Sequence, residues 1–479
     1  MAATVAAALA ALAIVAQDQA PLRAAPRDSA PPQAVLWQGD SLEVRGVKGD
    51  YLQVYDHRRE RAGYVRASLV RPQSLKPESA PELMAVVRFL KDTPGAESLG
   101  IAYAAAYLRA APGDAIDGEI FDALGAMAER LARRASSARQ GKTPEAVAAH
   151  LDVVATYGVE MVSFERDGQM QLCYNGDAQR RVLALPASEA QKAQAALALT
   201  RHECVSPHIT PVERYALDTW RAEVLERVKT TDLPEVLKNR LRLRKAGVWA
   251  SLAQQRARRP ELGAEAVRQA GQRAIDELAA INKSELMESD AGAYSDAAIR
   301  VGASRWAAEP DLPGTTKAAK VSVTLSAGQP GETCVHLVNA KHDIKHPLLT
   351  RCTYGVVWQA SATANAQGTA LALAVQPLDT WREMWVFRQG GDGAWGVDVL
   401  PPATDGPGLG YVEFAGWVPG DKQMLAVKEA RTEGRYQQSY EVLRLSNLET
   451  QNRADKPGNL NLFHRWQSPL WKARTVAIR

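Results

Sequence analysis

From Val35 to Val70 the chain reads VLWQGDSLEVRGVKGDYLQVYDHRRERAGYVRASLV, with apolar and polar positions in alternation. Leu42 and Val44, then Leu52 and Val54, fall at period two, which predicts half-buried strands. Gly39-Asp40 and Gly49-Asp50 supply turn chemistry, and Gly63-Tyr64-Val65 opens a further strand. Short strands with no helix between them predict a small β-barrel over residues 34–75. The run Asp56-His57-Arg58-Arg59-Glu60-Arg61 reads as its charged, solvated hairpin tip.

Over residues 80–310 the period becomes that of amphipathic helices, as in GEIFDALGAMAERLARRASS and TPVERYALDTWRAEVLERV. Asp232 with Glu235 predicts a capping box. The segment reads as an α-helical array of tetratricopeptide-like hairpins, although no period of about 34 residues recurs. Near 158–184 two alternating runs flank Asp167-Gly168, which predicts an inserted β-hairpin. Residues 315–479 return to short strands punctuated by Gly, Pro, Asp and Asn, a β-rich domain. Its end, FHRWQSPLWKARTVAIR, is expected as a last strand with Trp466 and Trp471 in the core. Seven of the eleven tryptophans follow residue 350, which separates this domain from the helices.

Residues 2–16 hold only Ala, Val, Leu, Ile and one Thr. That is the length of a signal-peptide core and too short to span a bilayer. Residues 1–16 are therefore expected to be a signal peptide, lacking the usual basic start, with 17–33 as a linker. Four cysteines agree with export: Cys173 with Cys204, and Cys334 with Cys352, are expected as sequential disulfides, one of three possible pairings. The formal net charge of +4 over 479 residues gives no electrostatic case for nucleic acid. The expected location is periplasmic or secreted, and the chain is not read as an integral membrane protein.

The N-terminal run resembles the bacterial SH3 (SH3b) domain over about 40 residues. The resemblance rests on Gly39-Asp40, Asp50-Tyr51-Leu52-Gln53-Val54, Gly63-Tyr64-Val65 and Ser68-Leu69-Val70, with Tyr in both of the family's Trp slots. It implies a small SH3-like β-barrel and a protein or cell-wall peptide as partner. It also makes Tyr51, Tyr64 and Trp37 candidate ligand contacts, although barrel packing is the commoner role for residues placed as Tyr51 and Tyr64 are. The run Gly416-Trp417-Val418-Pro419-Gly420-Asp421-Lys422 through Val427 resembles the turn of TolB-type propeller blades. The C-terminal segment is too short for an ordinary closed propeller, so a propeller-derived sheet or an independent β-domain is expected.

Candidate chemistry is sparse. SxxK, HExxH and GxSxG are absent, and Gly141-Lys142-Thr143 lacks the earlier glycine of a phosphate loop because position 136 is Ser. His202-Glu203-Cys204 with His208, and His336, His342 and His346 with Asp343, carry metal-ligand types without a metal-site spacing. No catalytic residue, metal or cofactor is assigned. The sequence reads as a multidomain α+β protein: an exported, non-enzymatic binding or scaffold protein of the bacterial cell envelope that contacts an envelope protein or peptidoglycan peptide. The alternative is a cell-wall or polysaccharide hydrolase built on the β-rich domain, with Asp398 and Glu413 as available carboxylates.

Overall fold

Seven strands precede residue 74: β1 (Ala11–Val15), β2 (Ala20–Arg23), β3 (Pro32–Leu36), β4 (Ser41–Lys48), β5 (Tyr51–Asp56), β6 (Arg61–Arg66) and β7 (Val70–Gln73). The structure is a computed structural model describing residues 11–137, 144–166, 168–309, 320–404, 408–432, 434–469 and 471–472. The start of the leader, the Gly141-Lys142-Thr143 run, Asp167 of the hairpin and the last seven residues lie outside these. The described chain divides into two compact units, one running to Ile209 with Val228–Asp232, the other Thr210–Arg227 with Leu233 onward.

The seven strands form an antiparallel sheet in the order β3-β2-β6-β5-β4-β1-β7. This corrects the expected SH3-like barrel and the SH3b resemblance with it, because the sheet is open and no ladder joins β3 to β7. Both edge strands carry proline, Pro32 in β3 and Pro72 in β7. Proline has no N–H for a further ladder, so it belongs on an edge. The sheet's inner face packs on itself through Ala13, Val15, Leu22, Leu36, Leu42, Leu52, Val54, Val65 and Val70.

β1 explains why the N-terminus reads as a leader. It pairs with β4 on one side and β7 on the other. Ala13 and Val15 face the sheet core, while Ile14 joins the helical core of the same unit. A strand buried on both faces shows an unbroken apolar run instead of alternation. The segment expected to be a linker holds β2 and the start of β3.

The first unit continues with α1 (Ala80–Lys91), α2 (Glu97–Ala110), α3 (Gly118–Ser136), α4 (Glu145–Ala155), the hairpin β8 (Met161–Arg166) and β9 (Gln169–Tyr174), α5 (Asp177–Ala184) and α6 (Glu189–Leu199). The second begins with α7 (Pro211–Glu226), α8 (Glu235–Ala257), α9 (Gly263–Ala279) and α10 (Ala291–Ser304), so the helical segment contributes to both units. Capping boxes form at Ser188 with Gln191 and Thr210 with Glu213. The box expected at Asp232 does not, because α8 is preceded directly by Pro234. Among the described residues no helix is long and apolar enough to cross a membrane.

The second unit then builds two sheets, antiparallel except where β17 runs parallel to β15. β10 (Val321–Ala327), β11 (Thr333–Asn339) and β12 (Leu349–Thr353) form one. β13 (Val356–Ala364), β14 (Ala370–Leu378), β15 (Trp381–Gln389), β16 (Trp395–Leu400), β17 (Leu409–Trp417), β18 (Gln423–Thr432), β19 (Arg435–Arg444) and β20 (Thr450–Ala454) form the other. Its order is β13-β14-β15-β17-β18-β19-β20 with β16 also on β15, one open sheet; the propeller resemblance is thereby corrected. Among the described residues of the chain end there is no strand: α11 (Asn461–Trp466) packs Phe463 against Tyr440, Trp471 lies against Phe463, and Trp466 is exposed. Disulfides join Cys173 of β9 to Cys204, and Cys334 to its cross-strand neighbour Cys352.

The position of β1 makes a prediction. A chain starting at Gln17 loses two ladders and the burial of Leu12, Ile14 and Val15, a loss of roughly 3–6 kcal/mol or more. Its thermal melt is expected well below that of the full chain, and an unchanged melt would refute the role given to β1.

Candidate functional site

The polar cavity of the first unit is set by one face of α3. Asp122, Ala126, Glu129, Arg130, Arg133, Arg134 and Ser137 recur at helical spacing and line a cavity of about 600 Å3. Gln179 of α5 and Gln194, Ala195 and Ala198 of α6 complete it. The room exists because Ala126, Ala195 and Ala198 are small. Gly125 leaves room for the Gln179 side chain, since a Cβ there would lie 2.6 Å from its Nε2.

Behind the cavity lies Glu97, at the start of α2 and 0 % exposed. It accepts from Arg130 Nε at 2.5 Å, from Arg134, and from the backbone N–H of Gly95 at 3.1 Å. Burial alone would raise its pKa, but the Arg130 hydrogen bond, the backbone donors and the Arg134 charge hold it below the ordinary glutamate value. Arg130 also donates to the carbonyls of Lys91, at 2.7 Å, and Thr93, at 3.2 Å, so its guanidinium is consumed structurally. Lys91 pairs with Asp122 at 2.5 Å.

Arg133 and Arg134 are engaged less fully. Arg133 is 62 % exposed at its side chain and pairs with Glu129 at 3.1 Å; Arg134 pairs with Glu97. A guanidinium carries five N–H donors, so both keep donors for a ligand. Gln179 is 4 % exposed and places Nε2 at 3.5 Å from Glu129 Oε1, while its own Oε1 has no hydrogen-bond partner. Buried amide oxygens are rarely left so, and this one is an unfilled acceptor on a side chain that lines the cavity. The arrangement offers cationic donors for an anion beside acceptors for an N–H group. Nothing in the short motifs indicated this site. Its signal is the Glu129–Arg130–Arg133–Arg134 stripe beside Ala126, which acquires meaning only once α5 and α6 are known to lie over it.

Tyr51 and Tyr64 do share a face of the N-terminal sheet, because Tyr51 is opposite Arg66 and Gln53 opposite Tyr64. Tyr51 is buried, its hydroxyl donating to Asp28, with the Arg66 guanidinium 5.5 Å from its ring centroid. Tyr64 is half-buried, with Lys48 Nζ 5.8 Å from its ring. Trp37 is buried at the end of β3, where its backbone N–H donates to Asp40. The hairpin tip read as solvated is a latch: Arg58 and Arg59 pair with Asp40 at 3.2 and 3.0 Å, and Arg59 with buried Asp56 at 2.7 Å. The Gly39-Asp40 turn is docked, since Tyr157 donates to the Gly39 carbonyl at 2.6 Å.

The other candidates are dispersed. Cys204 is in a disulfide and Glu203 pairs with Arg201. His336 bonds Ser326 and Thr350, His342 bonds Asn339, and His346 is 3.8 Å from Asp343. Among the described residues the one group with metal-ligand spacing is Glu332 with Cys334 and Cys352, whose sulfurs are bonded to each other. Asp398 pairs with Arg388 at 2.5 Å. Glu413 is buried between Arg305, at 2.5 Å, and Arg382. Burial would raise the Glu413 pKa, but the two guanidiniums outweigh it and hold the group below its ordinary value, which disfavours it as a proton donor.

No family model matches the chain, and no curated protein or solved structure matches it either.

Tyr157 gives a pH prediction for the first unit. Burial, with Asp40 nearby, pushes its hydroxyl up to about 12 from an ordinary value of 10.0. Below pH 10 folded and unfolded chains are both protonated; between 10 and 12 the unfolded chain ionises first. About 2–3 kcal/mol of stability is therefore lost across that window. Urea unfolding should show this decline, and Tyr157→Phe should lessen it by about that amount.

Proposed function

We propose that this chain is an exported, non-enzymatic binding protein of the bacterial cell envelope. Its α3–α5–α6 cavity takes a short peptide carrying both a carboxylate and an amine, the chemistry of a peptidoglycan stem peptide. The observation that carries the reading is the unpartnered, buried Gln179 Oε1 in a cavity walled by Arg133 and Arg134. Guanidinium groups bind carboxylates through paired, charge-assisted hydrogen bonds. Gln179 Oε1 is the acceptor offered to the amine. A volume of about 600 Å3 suits a ligand of a few residues. Two disulfides among four cysteines support an oxidising compartment, and with it export.

Calorimetry with a peptidoglycan stem tetrapeptide tests this. The intact peptide should bind, whereas forms with amidated carboxylates or an acetylated amine should bind at least about tenfold more weakly. Arg133→Ala removes an exposed side chain and should weaken binding by a similar factor with the melt unchanged. Gln179→Met removes the unpartnered oxygen together with the long Nε2 contact to Glu129, so it should lower affinity with little change in the melt. Wild-type protein that ignores the peptide, or binds all three forms alike, would overturn the proposal.

A further inference from the structure

On one face of β18, β19 and β20 the alternate positions change from apolar to polar along the strands. Met424, Ala426 and Leu443 belong to an apolar core. Further along, the register sets Lys428 opposite Ser439, Ala430 opposite Gln437, and Glu441 opposite Arg453. Directly opposite residues share a face, so these side chains converge. They floor a cavity of about 530 Å3, walled by Leu400, Pro401 and Pro402.

The organising group is Glu441, a carboxylate only 3 % exposed. Lys428 Nζ lies 3.1 Å from it, Ser439 Oγ 3.1 Å, Thr450 Oγ1 3.3 Å and Arg453 Nε 3.4 Å. Four donors fill a carboxylate, so Glu441 positions its neighbours and does not meet a ligand itself. Lys428 and Arg453 keep donors beyond that contact, and Arg453 is 58 % exposed at its side chain. Among the described lining residues two cations against one anion leave a single positive charge, and the rest are hydroxyl, amide, proline and small apolar side chains. A monoanion balances that charge, whereas a phosphate dianion would leave one negative charge facing buried Glu441. The proline wall suits the C–H face of a saturated ring, and Ser439, Gln437 and Thr432 suit its hydroxyls.

We propose that this cavity binds a sugar acid, with the carboxylate of a hexuronate on Lys428 and Arg453 and its ring against Pro401 and Pro402. The uronate comes either as the monosaccharide or as a residue of an acidic polysaccharide. The site lies wholly in the second unit and is independent of the peptide cavity.

Titration calorimetry of the full chain with D-galacturonate, D-glucuronate, D-galactose and a trigalacturonate tests it. At least one uronate should bind saturably and roughly tenfold or more tightly than galactose, since the charge-assisted contacts depend on the carboxylate. A trimer that outbinds the monomer identifies the polysaccharide as source, and a monomer that binds as well or better identifies the simple sugar acid. Arg453→Ala, chosen because its exposure spares the fold, should weaken uronate binding about tenfold with an unchanged melt. Lys428→Met should abolish it, with the melt recorded because Glu441 then loses a buried partner. Failure of both uronates and the trimer to bind, equal binding of galactose, or wild-type affinity in Arg453→Ala would overturn the assignment.

Discussion

Glu97 is a carboxylate with no solvent contact, and the first unit is arranged to satisfy it. Two arginines one helical turn apart on α3 reach it, and the turn before α2 gives it a backbone N–H. A buried charge without partners costs several kcal/mol, and breaking such a cluster by removing one partner typically costs about 3–5 kcal/mol. The constraint fixes the rotation of α3 about its axis. With Arg130 and Arg134 turned to Glu97, Arg133 and Glu129 must face α5 and α6, where the cavity lies.

The second unit repeats the device. Asp218 of α7, fully buried, accepts from Arg214 at 2.8 Å, Arg221 at 2.7 Å and Ser251 of α8 at 2.6 Å. Arg214 and Ser251 also reach Asp379 in the turn after β14, at 2.7 and 3.0 Å, which ties the helices to the sheet. Glu413 of β17 gathers Arg305 and Arg382 in the same way. Such clusters fix orientation more than they add net stability. Here they decide which helical face meets which strand.

Much of the fold was legible in the chain, and the failures have physical causes. Period two marked the strands, period 3.6 the helices, and Cys spacing the two disulfides. β1 was not legible as a strand because a strand buried on both faces has no alternation to read. The barrel failed because alternation specifies strands but not which edges meet; the two end strands carry Pro32 and Pro72, which offer no N–H for a further ladder. The run after Leu460 supplied aromatic core residues, as Trp471 shows, but as a short helix. The arginine stripe on α3 was invisible for a different reason. Charged residues on a helix normally face solvent, and only the unwritten position of α5 and α6 makes these line a cavity. Tyr51 and Tyr64 were correctly placed in strands, yet Tyr51 spends its hydroxyl on Asp28.

The central claim is that Glu97, which does not line the cavity, holds the arginines that do. Isothermal titration of Glu97→Gln with the stem tetrapeptide, alongside its circular dichroism, tests that claim directly. The account predicts a chain that remains helical, is destabilised by about 3 kcal/mol or more, and binds the peptide at least roughly tenfold more weakly than wild type. A folded Glu97→Gln chain with undiminished affinity would contradict it.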